Sequence, residues 1–498
     1  HNLGIGVASL GGSIAGGEFN VCVGNYTGDA ITSGDSNVLV GYQAGSAITT
    51  GGYNVFIGGS FASYCGASNT TGQLNIGIGT DAYDAADTES NNLAIGFSAL
   101  GGAVAGGEYN VAIGNYSLDA LTSADFNVAI GYNAGTALQA GLGNVMIGYE
   151  AGKSLVAGTE NVMIGLLAGG NAISNGNVFV GFKAGETITS GGANTAIGDT
   201  ALDQATTEAH NLAIGYVSMS ADVAGGEYNV AVGNYTLDAL TSGDHNTAIG
   251  YTAGSAITTS VKNVAVGGSA LDALSSGSGN NTAIGYNASP DQTTGSHNVV
   301  IGADGGASIA GNSYNTIIGT HANTKNDNTS DEYQIALGYD CMSVGANFFT
   351  FGKSTGNDRV YNGFTSNASW TRVSDERYKK DIQDNTDCGL DFINDLRPVT
   401  FKWKEKSELD PSFPDYDAEI NNDAHPDKLY GLIAQEVKEA LDKNNITDFG
   451  GWNSITTGEH TQQGVSQEMF IHPLIKAVQE LSATVTTLQQ EINTLKGE

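Results

Sequence analysis

One repeat constrains this sequence more than anything else in it. An Asn followed by a hydrophobic tetrad ending in Gly recurs from Asn2 to Asn315, usually every 17 residues, with occasional steps of 16, 18 or 21. A worn copy, Gln334-Ile335-Ala336-Leu337-Gly338, closes the series. Short fixed periods mark architectures in which one unit cannot bury its own apolar side and must stack on its neighbours.

A typical unit is Asn127-Val128-Ala129-Ile130-Gly131-Tyr132-Asn133-Ala134-Gly135-Thr136-Ala137-Leu138. Val128 and Ile130 alternate with small Ala129, the period-two signature of a short strand with one buried face. Gly131 and Gly135 permit the turns that fold each rung back. Stacked rungs give a mainly β fold, a β-solenoid shaft over residues 1–339. At ~4.8 Å per strand, about twenty rungs make roughly 90 to 100 Å. The leading Asn residues are expected to stack as amide ladders and to cap turns through the backbone.

Composition supports a folded, repetitive object. The chain has 71 Gly, 6 Pro and 14% charged residues without a collagen triplet, and at 40% hydrophobic it is too apolar for disorder. A net charge of −33 argues against nucleic acid and anionic membranes, both of which need Lys and Arg to neutralise phosphate. Residues 1–373 carry 7 Lys and Arg against 28 Asp and Glu, and residues 374–498 carry 12 against 24. Cys22, Cys65, Cys341 and Cys388 lie far apart, with neither disulfide nor zinc spacing, and read as small buried hydrophobes. No stretch reaches the length of a membrane span, so no membrane insertion is expected, and no signal peptide is visible. His1 falls in mid-repeat, which fits a fragment or a processed product.

Two side-chain sets in the ladder bear on function. Aromatic residues follow the rung Gly at Tyr42, Tyr132, Tyr149, Phe182, Tyr216, Tyr251 and Tyr286. They either pack between stacked chains or line a sugar-binding surface. Asp119, Asp203, Asp238 and Asp272 hold matching rung positions. A carboxylate row could bind calcium or cleave glycosides as a pair, but we read it as a solvated edge that blocks sheet aggregation. No metal site and no cofactor is expected, calcium being the one candidate. The longest step contains the loop Ser60 to Gln73, a local departure from a rigid scaffold where recognition usually sits.

Residues 340–373 break the period and read as a connector of strands. Beyond them runs Val373-Ser374-Asp375-Glu376-Arg377-Tyr378-Lys379-Lys380. Ser and Lys can form a self-contained peptide-cleaving dyad, the Lys amine being the base for the Ser hydroxyl. Five residues on one helix correspond to about 140° of rotation, so Ser374 and Lys379 cannot meet on a helix. Ser374 is therefore expected at or before a helix start. Downstream come Leu396-Arg397-Pro398-Val399-Thr400-Phe401-Lys402-Trp403, then Tyr430-Gly431-Leu432-Ile433-Ala434-Gln435-Glu436-Val437, then Pro473-Leu474-Ile475-Lys476-Ala477-Val478. This order resembles the endosialidase-type intramolecular chaperone, a self-cleaving C-terminal domain of phage tailspikes and tail fibres. The resemblance implies Ser374 as nucleophile and Lys379 as general base, cleavage between Val373 and Ser374, and Asp375 and Arg377 as orienting groups. Ser466 to His472 and the acidic stretch Ser407 to Asp427 depart from that pattern. The rungs also look like the heads of trimeric autotransporter adhesins.

From Leu474 a heptad array runs through Leu474, Val478, Leu481, Val485, Leu488, Ile492 and Leu495. β-branched residues at one seam position and Leu at the other by themselves favour a parallel dimer, whereas both resemblances imply a homotrimer, which we adopt. Residues 374–472 are thus expected as a small α+β chaperone domain and 473–498 as a coiled coil. The expected whole is a viral tail fibre or spike that attaches to a host cell-surface glycan. It would be made in the host cytoplasm, be borne on the virion with other tail proteins, and be free of its chaperone after autoproteolysis. A bacterial surface adhesin and a polysaccharide-degrading tailspike are the rivals, and ice binding is disfavoured because Thr pairs do not recur on every rung.

Overall fold

The computed structural model describes residues 1–276, 279–325, 332–353, 358–363, 371–372, 374, 376, 379–409, 411, 416, 428–457 and 460–497. The chain divides into two compact units, His1–Val373 and Ser374–Glu498. In the first, three-residue strands run from β1 (Leu3–Ile5) to β20 (Ile335–Leu337), one per rung. Each pairs in parallel with the strand of the next rung, equivalent residues facing one another: Val128 lies beside Val145, Ala129 beside Met146 and Ile130 beside Ile147. The unit is a β-solenoid of about twenty turns. Its sheet continues past the repeats into β21 (Phe348–Gly352), parallel to β20, and then antiparallel into β22 (Arg359–Gly363) and β23 (Thr371–Arg372).

Inside the coil the Asn residues form a ladder with every polar atom in use. Asn127 is fully buried. Its Oδ1 accepts the backbone N–H of Asn144 at 3.0 Å and the Asn144 Nδ2 at 2.9 Å. Its own Nδ2 donates to Asn110 Oδ1 at 3.1 Å and to the Gly141 carbonyl at 2.9 Å. Buried amides persist only when so satisfied. Gln334 continues the ladder on the worn rung, its N–H donating to Asn315 Oδ1 at 3.0 Å.

The strand alternation is realised with the small residue inside. Ala129 is fully buried, while Val128 and Ile130 are only half-buried on the outer face. Two interior positions share the available volume. In several rungs with a small strand centre, such as Ala112 and Ala196, a Leu fills the space six residues on, at Leu118 and Leu202, whereas Ala129 stands with Gly135, where a Cβ would lie 2.7 Å from Met146 of the next rung. Where the strand centre is large, as Met146, Met163 or Phe179, that position is Gly152, Gly169 or Gly185. A Cβ on Gly185 would lie 2.7 Å from the Phe179 ring, and one on Gly152 2.9 Å from Met146 Sδ. Close packing at constant volume selects these pairs.

The strand-ending Gly has a different reason. Gly131 has φ +140°, and a Cβ there would stand 2.2 Å from the Gly148 carbonyl oxygen of the next rung. Rungs also place non-glycine residues in left-handed backbone, such as Phe126 (φ 59°) and Asn133 (φ 55°). Each costs roughly 1–2 kcal/mol, which the stacked neighbours must offset.

The acids are not a freely solvated edge. Asp203, Asp238 and Asp272 are half-buried, and desolvation raises their carboxyls above the usual range. One oxygen each of Asp203 and Asp238 has no hydrogen-bond partner among the described residues. Asp119 accepts the Thr136 hydroxyl of the next rung at 2.5 Å. Cys22 and Cys65 are interior, and burial pushes their thiols up to about 12.

The second unit is small and α+β. Helix α1 (Leu390–Asp395) precedes β24 (Val399–Phe401), which pairs antiparallel with β25 (Leu429–Gly431). Helix α2 (Ala434–Lys443) follows, then a hairpin of β26 (Trp452–Thr457) and β27 (His460–Val465), and then the 26-residue helix α3 (Ile471–Lys496). The core gathers Phe392, Val437, Leu441, Ile446 and Phe470. Phe449 lies 5.6 Å from Phe392 and 5.1 Å from Phe470, ring centre to ring centre. Pro473 sits in the first turn of α3 and is buried, as is Ala477, but the heptad residues face outward, from 42% exposed at Ile492 to 87% at Leu495.

Candidate active site at Ser374 and Lys379

Ser374 opens the second unit, and its Oγ accepts a hydrogen bond from Lys379 Nζ at 2.7 Å. Of the residues between them only Glu376 is described, in a 3-10 conformation, and the backbone N–H of Lys379 donates to its carbonyl at 3.0 Å. Ser374 thus lies before the 3-10 residue Glu376, and among the described residues the first α-helix after the pair is α1, which starts at Leu390. Ser374, Lys379 and Lys380 are exposed in the single chain. Val373, Asp375 and Arg377 lie outside the described residues.

The pair puts a hydroxyl and an amine in contact, the arrangement required for a Ser hydroxyl to pass its proton to a base. Such a pair needs neither metal nor cofactor. Among the described residues no group of His, Cys, Asp and Glu side chains could hold a metal ion. No helix of the described residues is long and apolar enough to cross a membrane.

The downstream motifs meet in one scaffold. Arg397, just before β24, grips Glu436 in the first turn of α2 with both Nε and Nη2, the Nε contact being 3.0 Å. That guanidinium holds the Glu436 carboxyl below its ordinary value. Lys443 at the other end of α2 donates to Asp395 at 2.6 Å, and together with Asn444 it lowers the Asp395 carboxyl. Trp452 Nε1 donates to the Ala434 carbonyl at 3.1 Å. Sequence reasoning did not foresee Glu480 of α3, which accepts the Leu390 N–H at 2.7 Å and so caps α1. A carboxylate at a helix N-terminus is favourable, and this one pins the long helix to the domain core. Its only sequence signal was a polar residue next to the heptad seam.

One comparison with known proteins, that with family models, finds this unit. No curated protein and no solved structure gives a significant match to the chain. Residues 374–446, beginning at the serine that meets Lys379 and ending just past α2, match the peptidase family described as the chaperone of endosialidase, which supports an intramolecular chaperone of peptidase type in the C-terminal unit.

Proposed function

We propose that the chain is a trimeric tail-fibre or tailspike protein of viral type whose C-terminal unit assembles the trimer and then cuts itself off between Val373 and Ser374. The observation that carries this reading is the 2.7 Å contact between Ser374 Oγ and Lys379 Nζ at the first residue of the matched segment. In the proposed step the Lys379 amine takes the Ser374 hydroxyl proton, and Oγ attacks the Val373 carbonyl carbon. The Val373–Ser374 C–N bond breaks as the nitrogen regains a proton from Lys379. Water then hydrolyses the ester left between Val373 and Oγ. Assembly of further copies around this exposed pair would exclude water, the condition under which an amine can act as a base.

Two outward surfaces support association with further copies of the chain. The heptad stripe of α3 is half-exposed or more, and a single chain leaves it without the partner that such a seam requires. Along the shaft, Val, Ile and Thr on the outer strand face form a continuous half-buried stripe over successive rungs. Contiguous apolar surface of this extent marks an interaction site. The assembled shaft, carried on a virion with other tail proteins, would then attach to a host-surface glycan without degrading it.

Mass spectrometry of the expressed chain tests the reading. The wild type should yield pieces 1–373 and 374–498, while Ser374→Ala and Lys379→Ala should remain whole and still trimerise. Equal cleavage in Ser374→Ala would refute it.

A further inference from the structure

Three stretches of the shaft repeat one another on a scale larger than the rung. Asn25-Tyr26-Thr27, Asn115-Tyr116-Ser117 and Asn234-Tyr235-Thr236 each follow a strand that is preceded by Gly-Gly-Glu and a further two residues. The backbone repeats with the sequence. Asn25, Asn115 and Asn234 each accept, at 2.9, 3.0 and 3.0 Å, the N–H of a residue one rung back. Asp35, Asp125 and Asp244 likewise accept the N–H of Glu18, Glu108 and Glu227, at 2.7, 2.8 and 2.9 Å. The tyrosine after each Asn stands in left-handed backbone, with φ 58°, 59° and 55°. The same backbone scaffold is therefore built three times, with Val7, Phe97 or Tyr216 as the residue one rung back.

Each tyrosine lies in a column of rings, Tyr26 at its start and Tyr116 and Tyr235 between two rings. Around Tyr116, Phe97 lies 5.3 Å away at 75° and Tyr132 5.9 Å away at 85°. Around Tyr235, Tyr216 lies at 5.4 Å and Tyr251 at 5.9 Å, both at 88°. Tyr26 meets Tyr42 at 5.9 Å and 78°, and the long loop adds Phe61 and Tyr64 at 6.0 and 6.2 Å from Tyr42. Edge-to-face packing turns the faces of alternate rings away from the column. The neighbouring column is different: His210, Tyr228 and His245 are stacked nearly parallel, at 4.9 and 5.1 Å, and cover each other's faces. Tyr251 remains 61% exposed and Tyr26 40%, whereas Tyr132, 44% exposed, also stacks on Tyr149 at 5.5 Å and 13°.

The chemistry around these free faces selects a ligand class. Residues 2–48, 92–138 and 211–257 contain no Lys or Arg, so an anion finds no counter-charge there. What is offered is flat apolar surface, tyrosine hydroxyls and carboxylate acceptors. A pyranose has a C–H face for the ring and hydroxyl donors for the acceptors, and consecutive sugars of a chain step on a scale similar to the rungs. We propose that the columns at Tyr26, Tyr116 and Tyr235 are three equivalent subsites for a neutral glycan lying along the shaft. This deepens the attachment reading above and rests on it.

Calorimetric titration of the full-length protein with a panel of neutral hexasaccharides, including chitohexaose and maltohexaose, tests the subsites, with polysialic acid as an anionic control. Tyr26→Ala, Tyr116→Ala or Tyr235→Ala should each remove about one third of the capacity. The triple Ala variant should bind at least about tenfold more weakly, whereas the triple Phe variant, which keeps the ring faces, should bind within about threefold of wild type. Three results would overturn the proposal: undiminished binding by the triple Ala variant, preference for the anionic control, or no neutral probe bound by wild type. Loss of the assembled state in the triple Ala variant, seen by sedimentation, would also overturn it, because the rings would then be contacts between copies. If the triple Ala variant stops binding probes but still adsorbs fully to susceptible cells, these subsites are refuted as the attachment site while glycan attachment itself stands. Wild-type protein that binds neither probe nor cell refutes both.

Discussion

Replacing Asn127 by Ala isolates what the interior ladder contributes. The side chain is fully buried and serves both neighbours. Its removal leaves the Asn144 backbone N–H without its acceptor and the Gly141 carbonyl without its Nδ2 donor. Three other groups are spared: Asn144 Nδ2 still reaches the Gly158 carbonyl at 2.8 Å, Asn110 Oδ1 still accepts the Asn127 N–H at 3.0 Å, and the Asp125 carbonyl, 3.0 Å from Asn127 Nδ2, still accepts the Gly143 N–H at 3.1 Å. Two orphaned buried groups at about 1–3 kcal/mol each give about 4 kcal/mol. At about 1.4 kcal/mol per factor of ten, that is a nearly thousandfold rise in local opening. Stability in stacked repeats is a sum of nearest-neighbour terms, so the effect should stay local. Hydrogen exchange read by mass spectrometry should speed up across the rungs of Asn110, Asn127 and Asn144 and leave those near Asn263 unchanged. A change below about 1 kcal/mol, or a uniform loss of protection along the shaft, would refute the ladder as an essential hydrogen-bonded element.

Desolvation raises the Asp238 carboxyl above its ordinary 3.8, so the folded state binds that proton more tightly and this contribution to stability is lost as pH climbs from 3.8 to the raised value. Asp238→Asn should therefore melt higher than wild type at pH 7, with the gap closing toward pH 4; a lower midpoint at pH 7 or a pH-independent gap would contradict this. Phe179→Ala should cost about 3–5 kcal/mol, because Gly185 leaves nothing to fill the space, and adding Gly185→Leu should recover part of it in denaturant titrations. No recovery would mean that the two interior positions do not share volume.

Much of the shaft was legible because its signals are local and repeated: Asn at the rung start, a strand of three, Gly where φ turns positive. The direction of the strand was not. Hydrophobicity alone assigns Val128 and Ile130 to a core, but a coil this narrow admits Ala129, and only the volume exchange with the position of Leu118 or Gly185 reveals which side is inside. Half-burial of Asp203 and Asp238 was hidden for a related reason, since a short acid after Leu reads as surface whatever lies on the next rung. In the C-terminal unit the sequence announced Ser374, Lys379 and the heptads. The pairing of Arg397 with Glu436, across 39 residues, and the cap that Glu480 places on α1 depend on tertiary approach, which no local pattern encodes.

The sameness of the rungs also has a cost in information. An Asn finds the same acceptor and the same donor whichever rung it meets, and Val128 beside Val145 is chemically almost Val145 beside Val162. A shaft slid by one rung against a like surface would lose contacts only at its two ends, out of some twenty. Such an array is strong but carries almost no address. The few marks along it are the irregular steps, among them the long loop at Ser60 to Gln73 and the 16-residue step from Asn161 to Asn177. In the proposed assembly, alignment would have to be dictated by something that is not periodic, and the unit that begins at Ser374 is such an element.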